Sequence, residues 1–346
     1  MRPLSLIRRR FLTAALGLAS AAPLAGAFAQ EKVNLYTHRH YEADQVLFKK
    51  FTADTGIEVN VVKAGAQALI ERLKSEGAAS PADLLVTADA GNLVRAKAAG
   101  LLQAVESDVL TASIPETLRD TDGQWFGLTR RARIIAYAKE RVQPSELSTY
   151  EALANAEWRG RILCRSSSNI YNQSLLASII ANSDKAKGIA WATAVRKNMA
   201  RPPQGSDRDQ MRAVSAGLGD VAIVNTYYLG LLINSTDPQD QKIGRSLGIF
   251  FPNQEGRGAH VNISGAGVTK SSKNKENAIK LLEFLVSVES QKAFAEATYE
   301  YPVNPKAELS ELLKSWGEFK ADPLDLNKLG TNNAEAVKAF DLAGWE

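Results

Sequence analysis

Four of the nine tyrosines in this 346-residue chain fall in three short polar loops. Tyr41 ends His38-Arg39-His40-Tyr41. Tyr171 lies in Arg165-Ser166-Ser167-Ser168-Asn169-Ile170-Tyr171-Asn172-Gln173. Tyr227 and Tyr228 end Asn225-Thr226-Tyr227-Tyr228. A phenol titrates near 10, so at neutral pH it ionises only when something strongly positive replaces its proton. A trivalent hard cation does this, because a bound metal can deprotonate its ligand outright. Soft thiolates suit Cu(I) and zinc, whereas hard anionic oxygens suit a hard ion. Ca²⁺ and Mg²⁺ call for carboxylates and carbonyls, and the nearest, Glu42 and Asp44, fall on the helix that follows Tyr41. Four phenolates around Fe³⁺ leave one net negative charge, which Arg39, Arg131 or Arg133 could offset.

Each of these residues also has a plainer reading. A tyrosine at a strand end commonly packs with its hydroxyl at the rim. On a regular strand Tyr227 and Tyr228 would face opposite sides. They share a ligand only where the strand ends or twists, which Gly230 permits. The run Arg165-Ser166-Ser167-Ser168-Asn169 precedes a helix and offers either an anion cradle or ordinary helix capping, of which capping is the simpler. Cys164 closes an apolar strand and reads as a buried small hydrophobe. The segment Asn253–His260 is Gly-rich and reads as a hinge or cleft loop, with His260 structural. It lacks the Gly-Lys-Ser/Thr ending of a phosphate loop. From the residues alone, the three loops fit either a metal site or a polar small-molecule cleft.

The elements that carry these loops alternate. Val33–Thr37 reads as a strand. Residues 42–54 read as a helix, with Val46, Leu47, Phe48 and Phe51 at helical spacing and Gly56 as the stop. Strand 57–62, helix 66–76, the short apolar strand Asp83–Thr87 and helix 91–99 follow. This order implies an open, mostly parallel sheet with helices on its faces. Trp125–Lys139 is a long extended stretch suited to crossing between lobes. A second unit comprises strand Arg161–Cys164, helices near 172–182, 185–198 and 207–216, and strand Val221–Val224. A second extended region, Leu247–Phe251, precedes strand Gly265–Thr269 and helix 274–287. The tail, 303–346, reads as polar and helical in pieces. Two α/β lobes joined by two crossings describe a hinged binding protein. Ligands of open α/β sheets sit beyond the carboxyl ends of strands, and closure around the ligand is the expected motion.

Composition bounds the alternatives. Hydrophobic residues make up 45% and charged residues 23%, which excludes disorder, collagen and coiled coil. One cysteine cannot form an intramolecular disulfide or a thiolate zinc site, and three histidines exclude a His-rich metal store. The formal charge is +4, but residues 1–30 hold four arginines and no acid, so the remainder is balanced. Net charge therefore gives no case for nucleic-acid binding. Residues 1–29 read as an export signal: Arg8-Arg9-Arg10-Phe11-Leu12, an apolar run to Leu24, then Ala27-Phe28-Ala29 before a cleavage point. The Arg-Arg-x-Phe-Leu spacing resembles the twin-arginine signal. The apolar run is short for a membrane span, so stable membrane insertion is not expected and the mature chain belongs in the periplasm.

Several long segments, in order, resemble the FutA-type periplasmic ferric-iron-binding proteins of ABC importers. They include Leu35-Tyr36-Thr37-His38-Arg39-His40-Tyr41, Arg131-Ala132-Arg133, Arg165–Ser174, Asn225-Thr226-Tyr227-Tyr228 and Phe250–Gly258. The resemblance covers nearly the whole mature chain. It implies an α/β, two-lobed periplasmic-binding-protein fold of type II, each lobe an open mixed sheet flanked by helices and joined by two hinge crossings. The expected division is residues 30–129 plus 262–304 for lobe 1 and 130–261 plus 305–346 for lobe 2. The resemblance further implies Fe(III) as transported ligand, not as a cofactor of an enzyme. It carries metal binding to Tyr41, Tyr171, Tyr227 and Tyr228. His40 becomes an extra ligand or a neighbour of the ligands, and Arg39 and Arg131 become charge partners. Members can carry a basic residue three positions after the tyrosine pair, where this chain has Leu231. The implied partners are an inner-membrane ABC permease and its cytoplasmic ATPase, with the binding protein a monomer. The alternatives are an anion-binding protein of the same fold using Arg165 and Ser166–Ser168, and a mononuclear iron enzyme. The enzyme would need a two-His-one-carboxylate set, to which a chain with three histidines is poorly suited.

Overall fold

The computed structural model of the chain describes residues 31–39 and 41–346. The export-signal reading of residues 1–29 and the reading of His40 lie outside the described residues. The first half alternates as its pattern requires: β1 (Lys32–Thr37), α1 (Glu42–Thr55), β2 (Glu58–Lys63), α2 (Ala66–Glu76), β3 (Leu84–Thr87), α3 (Ala90–Ala98) and α4 (Asp108–Ser113). β1 pairs in parallel with both β2 and β3. α1 buries Leu47, Phe48 and Phe51, and stops where Gly56 takes a left-handed φ of 74°. Val46, counted by its spacing, faces solvent instead.

β4 (Phe126–Ala138) is the long mid-chain strand. After it come β5 (Ile162–Leu163), α5 (Ile170–Asn182), α6 (Lys185–Asn198), α7 (Asp207–Ser215), β6 (Val221–Asn225), α8 (Thr226–Ile233), α9 (Pro238–Ser246), β7 (Leu247–Phe250) and β8 (Val261–Val268). The chain ends with α10 (Lys275–Leu285), α11 (Val288–Thr298), β9 (Tyr301–Pro302), α12 (Glu311–Ser315), α13 (Asn327–Thr331) and α14 (Asn333–Ala343). The sheet order is β2-β1-β3-β8-β4-β6-β5, with β7 and β9 also paired to β4. β4 is shared: Phe126–Ala132 pairs with β8, and Arg133–Tyr137 pairs with β6.

Two sequence expectations need correcting. The strand expected at Gly265–Thr269 begins at Val261, because Asn262 and Ser264 are strand residues whose polar side chains are buried. The second crossing is therefore the start of β8. Leu247–Phe251 stays on the β6 side, where β7 pairs only with the last residues of β4.

The core follows the period of the strands. Around β1, β3 and β8 one cluster gathers Leu35, Phe51, Leu84, Leu93 and Trp125. Along β4 and β6, alternate residues serve opposite faces. Ile135, Val221 and Ile223 pack with Trp158 and Leu176, while Ile134, Ala222 and Val224 pack with Met211 and Leu232. Each fully buried aliphatic side chain contributes about 1.5–3 kcal/mol, so both halves are anchored independently and the shared strand joins them.

Candidate metal centre

All four singled-out tyrosines sit where a strand hands over to a helix. Tyr41 is the N-cap of α1, after β1. Tyr171 is the second residue of α5, after β5. Tyr227 and Tyr228 are the second and third residues of α8, directly after β6. The strand ends at Asn225, so the pair occupies a first helical turn and not a twisted strand. There the adjacent rings are splayed by only 36°, with centroids 4.2 Å apart.

The fold brings the four together from three loops. The hydroxyls of Tyr227 and Tyr171 are 3.4 Å apart. The rings of Tyr41 and Tyr227 meet edge-on at 6.4 Å. Three helix N-termini thus point at one cluster of phenols, and the positive end of a helix favours an anionic oxygen. Neither Tyr41 nor Asn225 caps its helix through a side-chain hydrogen bond. Asn169 caps α5, accepting from the Tyr171 amide at 3.0 Å.

Burial raises the pKa values of Tyr41, Tyr171 and Tyr227. It lifts Tyr171 to about 12, with Tyr228 adding repulsion and Arg131 opposing. Tyr227 is pushed well above the usual range by burial and by Tyr171, Tyr41 and Tyr228. Tyr41 is raised first by burial and then by Glu300. No ordinary base at neutral pH removes these protons; a multivalent cation among the oxygens does. Among the described residues no group of three or more His, Cys, Asp or Glu is arranged to hold a metal.

The arginines divide by what they touch. Arg131 is buried, its guanidinium 5.3 Å from the Tyr171 ring centre. It donates to Ser264 at 3.2 Å and lies 3.9 Å from both Asp89 and Glu300. Its Nε and Nη2 find no hydrogen-bond partner, Nη2 being the nitrogen 3.9 Å from Asp89. Arg39 is also buried and lies over Tyr41 at 4.8 Å, but two carboxylates hold it, Asp44 at 3.0 Å and Glu300 at 3.2 Å. Arg133 joins Asp207 at 2.6 Å and Asn172. Arg208, supplied by α7, lies 5.9 Å from the Tyr228 ring.

The serine loop spends its donors on itself. Ser166 and Ser168 bond each other at 2.9 Å, and Arg165 reaches Asp207 at 3.4 Å. A polar cavity of about 490 Å³ nevertheless opens beside Tyr171 and Tyr228, lined also by Arg95 and Arg165. Cys164 is buried, its thiol pushed up to about 11 by desolvation. His260 is buried and pulled down to about 3 by desolvation and by Arg133. Its backbone carbonyl accepts from the Arg133 amide at 2.9 Å.

Sequence reasoning missed the carboxylates. Glu300 accepts from Thr129 at 2.8 Å and meets Arg39 and Arg131. Asp89 accepts from Ser174, Asn262 and the Gly91 amide, each at 2.8 Å. They lie far from the tyrosines in the chain, and only the sheet order brings them close.

Residues 46–321 match the bacterial extracellular solute-binding protein family. The chain belongs to that family. Within it, Iron uptake protein A1 of Synechocystis is 49% identical over 336 residues, 97% of this chain and 93% of that one. The major ferric iron-binding protein of Neisseria meningitidis serogroup B is 28% identical over 97% of this chain and 98% of its own. The Trichodesmium FutA (IdiA) structure, in complex with iron and citrate, matches with a TM-score of 0.88 at 51% identity, covering 91% of this chain and 100% of that one. The fold is accordingly the two-lobed α/β architecture of this family.

Proposed function

We propose that this chain is the periplasmic substrate-binding protein of an iron importer and captures Fe(III) in an interlobe cleft. The ligands are the phenolates of Tyr41, Tyr171, Tyr227 and Tyr228, with His40 beside Tyr41. Arg131 offsets their charge. The observation that carries this reading is the convergence of four phenols from three loops beside the buried Arg131 guanidinium. Fe(III) is cargo, and the protein is a carrier, not an enzyme. Hard anionic donors favour Fe(III) over Fe(II), so a closed phenolate shell suppresses redox chemistry.

In this reading residues 30–129 and 262–304 form lobe 1, and 130–261 and 305–346 form lobe 2. The separate core clusters support that division, with Leu326 and Leu329 of the tail reaching into the first lobe's core. Residues 1–29 direct export by the twin-arginine route and are removed. Among the described residues no helix is long and apolar enough to cross a membrane. The loaded monomer docks on an inner-membrane permease driven by a cytoplasmic ATPase. Docking opens the lobes, withdraws Tyr41 and lets the remaining phenolates regain protons.

The test is a visible spectrum of the purified protein titrated with ferric citrate, beside Tyr227→Phe and Tyr228→Phe. The expected result is a phenolate-to-iron charge-transfer band that saturates at one equivalent and weakens or shifts in both variants. A folded protein without the band overturns the reading.

A further inference from the structure

One buried carboxylate ties α3 to α5 directly behind Tyr171. Asp89 is the N-cap of α3. Its Oδ1 accepts from the Gly91 amide of that helix and from the Ser174 hydroxyl of α5, both at 2.8 Å. Its Oδ2 accepts from the side-chain amide of Asn262 at 2.8 Å and lies 3.9 Å from Arg131. Arg131 and Asn262 are direct partners across the β4–β8 pair, next to the point where β4 passes from β8 to β6. Asp89, Ser174, Asn262 and Arg131 are all buried, so a bond lost here is not simply replaced by one to solvent.

The junction is built for close approach. A Cβ at Gly91 would meet Oδ1 of Asp89 at 3.0 Å and Oγ of Ser174 at 3.7 Å, with the Leu329 carbonyl of α13 at 3.8 Å. Glycine therefore leaves the room that Ser174 needs to reach Asp89. Ser174 follows Tyr171 by three residues on α5, so the two are neighbours on one helix face. Arg131 reaches both ends of this arrangement, lying 5.3 Å from the Tyr171 ring centre and 3.9 Å from Asp89.

We propose that, given the ferric site above, Ser174 and Asp89 are positioning residues for it. Their bond holds α5 of lobe 2 against α3 of lobe 1, so that Tyr171 meets the iron together with Tyr41. Neither residue touches the metal. Ser174 acts through Tyr171, one turn away on the same rigid helix, and Asp89 through the lobe that carries Tyr41. In the proposed division Gly91 and Asn262 move with Asp89, so the Ser174 bond is the one that breaks when the lobes part.

The test is a competition titration of ferric iron against citrate, followed by the visible band, in the wild type, Ser174→Ala, Tyr41→Phe and the double variant. Ser174→Ala is expected to keep the band and to lower ferric affinity by about fivefold. In the Tyr41→Phe background closure brings no phenolate from the other lobe, so Ser174→Ala is expected to change affinity by less than about twofold. Gly91→Ala, which crowds the same bond, is expected to cost about threefold in the wild-type background only. Circular dichroism checks that each variant is folded, and Gly91→Ala decides the matter if Ser174→Ala is not. Unchanged affinity in the folded variants overturns the assignment. So does an equal loss with and without Tyr41, because a purely structural role does not depend on that ligand. A wild type without the band overturns the ferric reading itself, and the positioning role with it.

Discussion

Tyr41 and the Tyr171–Tyr227–Tyr228 trio approach one point from opposite electrostatic surroundings. Beside Tyr41 a single guanidinium, Arg39, serves two carboxylates, Asp44 and Glu300. Beside the trio, a single carboxylate, Asp207, serves two guanidiniums, Arg133 at 2.6 Å and Arg165 at 3.4 Å. Arg131 adds a third, and all three lie within about 6 Å of the Tyr171 ring centre. One side is poised to accept negative charge; the other already carries it. A phenolate is therefore cheaper to form at Tyr171, held near 12, than at Tyr41, which burial and Glu300 push well above the usual range. In the proposed function, such a cleft holds its cargo on the wall of the trio and closes with the wall of Tyr41, and Tyr41 is the first ligand to leave.

The trio variants should show the largest effect. Loss of a group that merely supports a ligand typically costs about ten- to hundredfold in metal affinity. Tyr171→Phe removes the phenol that the three guanidiniums surround and should exceed about a hundredfold in a competition titration with citrate. Tyr41→Phe should cost less, about tenfold, and leave a coloured complex. Small-angle scattering of that complex should report lobes still open. Equal losses in the two variants, or full closure without Tyr41, would break the comparison.

The pH dependence tests the same asymmetry more gently. Each phenol that binds must lose a proton, and burial holds Tyr41, Tyr171 and Tyr227 above the ordinary phenol value, Tyr171 at about 12. These three are thus protonated near neutrality when no metal is bound. Affinity should rise with pH across the neutral range with no plateau, its logarithmic slope counting the protons displaced. Tyr41→Phe should lower that slope by about one. An unchanged slope would mean that Tyr41 binds as a neutral phenol or not at all.

The sequence made the tyrosine loops legible because their side chains are polar, clustered and placed at predictable strand ends. Helix α1 and strands β1 to β3 were equally plain, since period and stop signals agree there. β8 was cut short because Asn262 and Ser264 interrupt its apolar pattern; Asp89 and Arg131 satisfy them across the sheet. The first turn of α8 read as loop because Gly230 sits within an eight-residue helix. Gly230 is there for space: a Cβ would meet the Tyr299 side chain at 2.6 Å. The charge asymmetry itself was invisible. It depends on Glu300, Asp89 and Asp207, and nothing local to the tyrosines encodes which distant carboxylates the fold returns to them.

Glu300 offers the smallest and most discriminating change. Its carboxylate is the second cause, after burial, of the raised pKa of Tyr41. Glu300→Gln removes the repulsion but keeps an amide oxygen that can accept from Thr129 and Arg39. Arg39 then faces Tyr41 with one carboxylate instead of two. Forming the Tyr41 phenolate becomes easier, and ferric affinity should rise by about threefold, a shift of well under 1 kcal/mol. The sign decides the point. A fall in affinity would mean that Glu300 acts chiefly by holding Arg39 against Tyr41, and that the wall carrying Tyr41 is built to assist binding rather than to yield it.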